Sequence, residues 1–254
     1  MESQAQLVAY LTELHLPAMR GCYRKVAEQA ASESLTYEEY LLQVVERESE
    51  LRRQHRVERR LRESRLPLSK SLQSFDIGRL PAKVAQQFGT LLDGKFLDRK
   101  ENVLAFGNPG SGKTHLLCAL CQELARKDRR VLYSPCALLV QELLIAKRDL
   151  KLPQLLKRLA GYEAILIDDL GYVQQSRQEM EVLFTLLSER YERGSVLLTS
   201  NLPFSAWESL FKDPMTTAAA IDRLVHHSII LEVNLPSYRM EEAQRSREEG
   251  EELQ

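Results

Sequence analysis

The chain has 254 residues, 44% of them hydrophobic, and a formal net charge of −1. That length buries a substantial core and suits one large domain with a smaller appendage. No apolar run approaches the roughly 18 residues of a membrane span, and the N-terminus lacks the basic, apolar and small-residue regions of a secretory signal, so the expectation is a cytoplasmic protein with no membrane partner.

The first seventy residues offer no convincing strand and a single glycine, Gly21, and are read as helices. Thr36 and Glu39 form a capping box ahead of YLLQVVERESELRRQHRVERRLRES, a run that extends as one helix to about Ser64 before Pro67 stops it. Between Arg52 and Arg65 stand seven arginines and two glutamates. That imbalance makes Arg52, Arg53, Arg56, Arg59 and Arg60 candidate contacts to DNA phosphates, against the plainer reading of a solvated helix face. From Leu66 to Asp98 come Pro67, Gly78, Pro81, Gly89 and Gly94 with short apolar pieces between them, read as a linker. The expected organisation is a helical N-terminal domain over 1–70, a linker over 71–98, a larger domain over 99–240 and an acidic tail over 241–254. Six glutamates between Glu241 and Glu252 define that tail.

Beyond the linker, five short apolar runs read as strands: Val103 to Phe106, Val131 to Tyr133, Ala164 to Ile167, Val196 to Leu198 and Ile229 to Val233. Helical stretches separate them. Apolar strands alternating with helices predict an α/β fold with a parallel five-stranded sheet covered on both faces, and ligands at the carboxyl ends of its strands. Residues 107–114 read GNPGSGKT and lie at such an end, between a strand and a helix. This is a phosphate-binding loop. Gly107, Asn108, Pro109, Gly110, Ser111 and Gly112 wrap backbone amides around phosphates, Lys113 places a point charge on the terminal ones, Thr114 offers a hydroxyl to Mg2+, and His115 follows at the helix start. ATP and Mg2+ are the expected cofactors.

AILIDDLG sets Asp168 and Asp169 at the end of a buried strand, where carboxylates are costly unless they meet a cation or water. Asp168 is the candidate Mg2+ ligand through water, and Asp169 the candidate for orienting or deprotonating the attacking water. Asn201 ends the next strand, placed to position that water or sense the terminal phosphate. Arg223 lies in a helical run before the last strand; it is either a surface charge or a group that stabilises phosphate across a subunit boundary. Cys118 and Cys121 form a CxxC inside the helix after the phosphate loop. With no second Cys/His pair at finger spacing they are read as small core residues, and His226 and His227 as structural or solvent-facing.

The ordered set GNPGSGKTH, LIDDLGY, RYERGSVLLTSN, DRLVHHS and PSYR resembles the IstB family, AAA+ ATPase helpers of insertion-sequence transposases and relatives of DnaC-type helicase loaders. It covers the region from about Ser74 to Arg239, including SFD and FSAWESLFKDP. The resemblance implies an AAA+ core, a homo-oligomer in a ring or helix, ATP-dependent binding of double-stranded DNA, and help to a cognate transposase in choosing its target. It places Walker A roles on Lys113 and Thr114, the magnesium role on Asp168, the catalytic glutamate position on Asp169, the first sensor on Asn201, the trans-acting arginine on Arg223 and a second sensor on Arg239. In initiator and loader relatives the helices between the second and third strands touch DNA; here that region offers Lys147, Arg148 and Lys151. A DnaC-like replicative helicase loader is the alternative reading.

Overall fold

A computed structural model describes residues 2–171, 176–203, 206, 207, 221–238, 240 and 241. They divide into two compact units, Met1–Arg59 and Arg60–Gln254.

The first unit is helical. α1 (Glu2–Glu13) and α2 (Pro17–Glu33) precede α3 (Tyr37–Ser64), within which the division between the units falls. The predicted capping box forms: Glu39 N–H donates to Thr36 Oγ1 at 3.2 Å, and Thr36 N–H to Glu39 Oε2 at 2.8 Å. The first amides of α2 are capped from a distance. Glu48 of α3, 5% exposed, accepts from the N–H groups of Ala18 (2.8 Å) and Met19 (3.2 Å).

The segment read as a linker carries a 3-10 turn (Ile77–Arg79) and two helices, α4 (Ala82–Leu91) and α5 (Lys95–Asp98). Their Val84, Phe88, Leu91, Phe96 and Leu97 are buried with β1 side chains, because between the Pro and Gly breaks Val84, Phe88 and Leu91 share one helical face.

The sheet contains β1 (Asn102–Phe106), β2 (Val131–Pro135), β3 (Ala164–Leu170), β4 (Ser195–Ser200) and β5 (Ser228–Glu232), all parallel, in the order β2-β3-β4-β1-β5. Each predicted strand is present; the first four extend beyond their apolar runs, and β5 begins and ends one residue earlier than its run. Between them lie α6 (Lys113–Arg126), α7 (Cys136–Arg148) with α8 (Leu152–Ala160), α9 (Arg177–Arg190), and a helical stretch over 221–225.

Alternation along the strands feeds two apolar layers. Leu104, Ile165, Ile167, Val196 and Leu198 pack with α7, α8 and α9, while Val103, Ala105, Leu166, Leu197 and Leu231 pack with α4, α5 and α6. Both faces are therefore apolar, which is why the strands read as continuous hydrophobic runs. Cys118 and Cys121 are fully buried in the second layer; burial pushes the Cys118 thiol up to about 12 and raises that of Cys121, as expected of core residues.

Candidate nucleotide site

The carboxyl ends of β1, β3 and β4 converge on one cavity of about 400 Å³. β1 delivers the glycine loop to it. At Gly107 (φ 152°) a Cβ would sit 2.0 Å from the Val233 carbonyl oxygen, and at Gly110 (φ 79°) 2.1 Å from Ser237 Oγ. Glycine at these positions is thus a packing requirement set by the segment after β5. Tyr238 N–H donates to the Gly110 carbonyl at 3.1 Å from the same side.

Gly112 is the N-cap of α6 and gives that helix no side-chain cap, so its first amides and dipole favour an anion at the cavity. Lys113, 6% exposed, donates from Nζ to the carbonyls of Gly107 (2.9 Å) and Asn108 (2.8 Å). Burial lowers its pKa, and the negative charges of Asp169 and Asp168 oppose that shift. Ser111 Oγ is buried with no hydrogen-bond partner among the described residues. Pro109 lines the cavity, and Asn108 O also accepts from Ser111 N–H at 3.2 Å.

Asp168, 4% exposed, accepts three hydroxyls. Thr114 Oγ1 donates to Oδ1 at 2.8 Å, Thr199 Oγ1 to Oδ1 at 2.6 Å, and Tyr133 OH to Oδ2 at 3.0 Å. Burial and the Asp168 charge beside it raise the Tyr133 pKa, so its phenol stays a donor. In a regular strand Asp168 and Asp169 face opposite sides of the sheet. Here β3 slips register against β4 between Ile167 and Leu170, and Asp169 takes a left-handed φ of 61° that leaves it exposed at the cavity wall. Asn201, directly after β4, lines the same cavity.

These groups fit a nucleoside triphosphate with Mg2+. A buried hydroxyl has no partner among the described residues, a buried ammonium is held by loop carbonyls beside the cavity, and Thr114 with Asp168 supplies the hard oxygen donors that Mg2+ prefers.

Phe75, Asp76, Arg79, Leu235 and Tyr238 also line the cavity; Phe75 and Asp76 fall in SFD and Tyr238 in PSYR, motifs whose resemblance gave these residues no role, and no spacing rule marks Arg79 or Leu235. Arg79 pairs with Glu241 at 2.7 Å and lies over the Tyr238 ring, 5.1 Å from its centroid. His115 Nε2 lies 3.0 Å from the Ser71 carbonyl oxygen and 3.2 Å from Ser74 Oγ, and its ring meets Phe75 edge-on. Arg223 stands apart from the cavity lining: Nη1 donates to Ser188 Oγ at 2.5 Å and its guanidinium lies 4.8 Å from the Phe184 ring centroid, both on α9. Arg239 lies outside the described residues.

The basic candidates are less unbalanced than their sequence window implies. Arg52 pairs with Glu48 (3.0 Å) and donates to the His15 carbonyl (2.8 Å), Arg53 pairs with Glu50 (2.9 Å), and Arg60 pairs with Asp128 (2.8 Å). Those carboxylates stand outside residues 52–65. Lys147 pairs with Glu181 (2.9 Å) and Arg148 with Asp149 (3.0 Å). Like Arg52 and Arg53, Arg56, Arg59 and Lys151 are exposed.

The strand order and the loop, lysine and carboxylates at the strand ends define a P-loop nucleotide-binding protein with an AAA+ core. The chain belongs to the family described as IstB-like ATP binding protein, whose model matches residues 9–246. It is 38% identical over 245 residues to a protein of Sinorhizobium fredii named as an insertion sequence ATP-binding protein, covering 96% of this chain and 82% of that one. It is 35% identical over 244 residues to one named for insertion sequence IS21 in Pseudomonas aeruginosa, with 95% and 91% covered. Its fold is similar to that of the DnaC helicase loader, with a TM-score of 0.55 at 17% identity, covering 65% of this chain and 96% of that one.

Proposed function

We propose that this protein hydrolyses ATP, assembles as a homo-oligomer on double-stranded DNA with little regard for sequence, and assists a cognate transposase in target selection and insertion. The gathering of Lys113, Thr114, Asp168 and Asp169 at one cavity carries the ATPase reading. The names of the relatives, which tie them to insertion sequences, carry the transposition reading.

In this mechanism Lys113 exchanges its two loop carbonyls for phosphate oxygens, joined by Ser111 Oγ and the first amides of α6. Thr114 and Asp168 would hold Mg2+, which when bound neutralises charge on the phosphates. Asp169 orients the attacking water or accepts its proton, and Asn201 registers the terminal phosphate. Arg223, off the cavity, serves a neighbouring subunit's site, and Arg239 is a second sensor. Arg52, Arg53, Arg56, Arg59, Arg60, Lys147, Arg148 and Lys151 hold DNA through phosphates; the exposed pairs Arg53–Glu50, Lys147–Glu181 and Arg148–Asp149 contribute little to stability, so phosphate readily replaces the carboxylate in them. Among the described residues no helix is long and apolar enough to cross a membrane, and we place the protein in the cytoplasm.

The test is the particle mass on a random-sequence duplex with ATP, with ADP and without nucleotide. A large DNA-bound oligomer with ATP alone is expected. Lys113→Ala abolishes it together with nucleotide affinity, whereas Arg223→Ala keeps affinity and loses turnover. A monomer that ignores DNA in all three conditions overturns the DNA-assembly reading. Capture of a replicative helicase in place of a transposase moves the protein among the loaders.

A further inference from the structure

Of the three hydroxyls on Asp168, that of Thr199 has a second task. Thr199 is fully buried in β4, and its Oγ1 donates to Asp168 Oδ1 (2.6 Å) while accepting from Asp169 N–H (2.8 Å). One oxygen therefore fixes the carboxylate of one acidic residue and the backbone of the next. That backbone is the unusual one: Asp169 holds φ at 61°, a conformation disfavoured for a residue with a Cβ, at the point where β3 slips register. The neighbouring residue secures the other end of the bulge. Ser200 Oγ donates to the Leu170 carbonyl at 2.9 Å and accepts from Leu202 N–H at 3.1 Å. Asn201 lies between these two tethered residues.

We propose that Thr199 is a positioning residue for hydrolysis. Its hydroxyl keeps Asp168 oriented when that of Thr114 turns to a cation, and its acceptance of the Asp169 N–H maintains the left-handed turn that brings the Asp169 side chain to the cavity. The inference rests on the ATPase reading of this site and adds to it a link between β4 and both acidic residues. A threonine that merely satisfies a buried carboxylate affects stability; one that positions affects turnover and the response to magnesium.

The experiment compares Thr199→Val, which removes donor and acceptor with little change of shape, with Thr199→Ser, which keeps both. A fluorescent ATP analogue is titrated into the full chain with Mg2+ or with EDTA, and ATP turnover and Tm are measured alongside. For Thr199→Val, affinity in EDTA stays within about twofold, its enhancement by Mg2+ shrinks, and kcat falls roughly 10- to 100-fold with KM little changed, as expected for losing a hydrogen bond to a charged group. Thr199→Ser restores most of both effects. Should the valine variant not fold, Thr199→Cys, with its weak thiol donor, falls between wild type and valine on the same readouts.

An unaltered Mg2+ enhancement and kcat in Thr199→Val overturn the proposal. So does a serine variant as impaired as valine with an equal drop in Tm, which assigns Thr199 to stability alone. If wild type binds the analogue without any enhancement by Mg2+, the reading of the site as an ATP and magnesium site fails first, and this proposal falls with it.

Discussion

The helical unit and the α/β unit are held by different forces. Among the described residues of Met1–Arg59 the buried hydrophobics are Leu11, Val26, Ala30 and Val44, while Leu7, Tyr10, Leu14, Tyr37, Leu41, Leu42 and Val45 stay exposed. Where an apolar core is thin, a buried carboxylate organises the helices: Glu48 caps α2 and pairs with Arg52, which reaches the His15 carbonyl. Arg60–Gln254 instead closes two apolar layers on a sheet. A unit built around a polar hub answers to charge and pH; one built on layered side chains answers to volume.

Three substitutions break or sharpen this contrast, read by amide hydrogen exchange resolved for each unit. Phe88→Ala, at a fully buried α4 position, costs the α/β unit about 3–5 kcal/mol of protection. An equal loss in the helical unit would show that the two fold as one. Glu48→Gln costs the helical unit about 2 kcal/mol, since charged hydrogen bonds become neutral and one Gln oxygen cannot replace both carboxylate oxygens.

The same residue predicts the pH dependence. Burial pushes the Glu48 pKa up, but hydrogen bonds from Arg52 and the amides of Met19 and Ala18 outweigh this and hold it below the usual carboxylate value. A folded pKa below the unfolded one means the stabilisation is complete above about pH 4.3 and fades as pH falls through the folded pKa. Protection of the helical unit therefore falls steeply in acid for wild type and more gently for Glu48→Gln. Thr36→Ala, which removes the N-cap of α3, has the smallest effect, about 1 kcal/mol within the first turns of that helix.

Much of this molecule is legible in its sequence. The strands stand out because a parallel sheet covered on both faces leaves continuous apolar runs, and the loop because glycine, lysine and threonine at fixed spacing have few other uses. The Thr36–Glu39 box is equally local. What the sequence hides depends on partners far along the chain. Glu48 looks like one more charge on a polar helix until the start of α2 arrives beside it. Tyr133 and Thr199 read as ordinary strand residues, and only sheet order brings their hydroxyls to Asp168. Arg190 reads as a helix-end surface charge; it is 4% exposed and donates to the carbonyls of Leu159, Tyr162, Glu163 and Ser195, and burial pulls its pKa down to about 10.

The close approach of Gly107 to the Val233 carbonyl bears on the order of events during synthesis. β1 is the first strand of the sheet to leave the ribosome, yet its partner β5 is the last, and residues 233–238 complete the walls around the glycine loop. A nascent chain halted before β5 presents one edge of β1 unpaired, a surface open to mispairing with other chains. The nucleotide loop is thus translated early and finished late, which exposes a stalled or truncated chain to aggregation however sound its first four strands are.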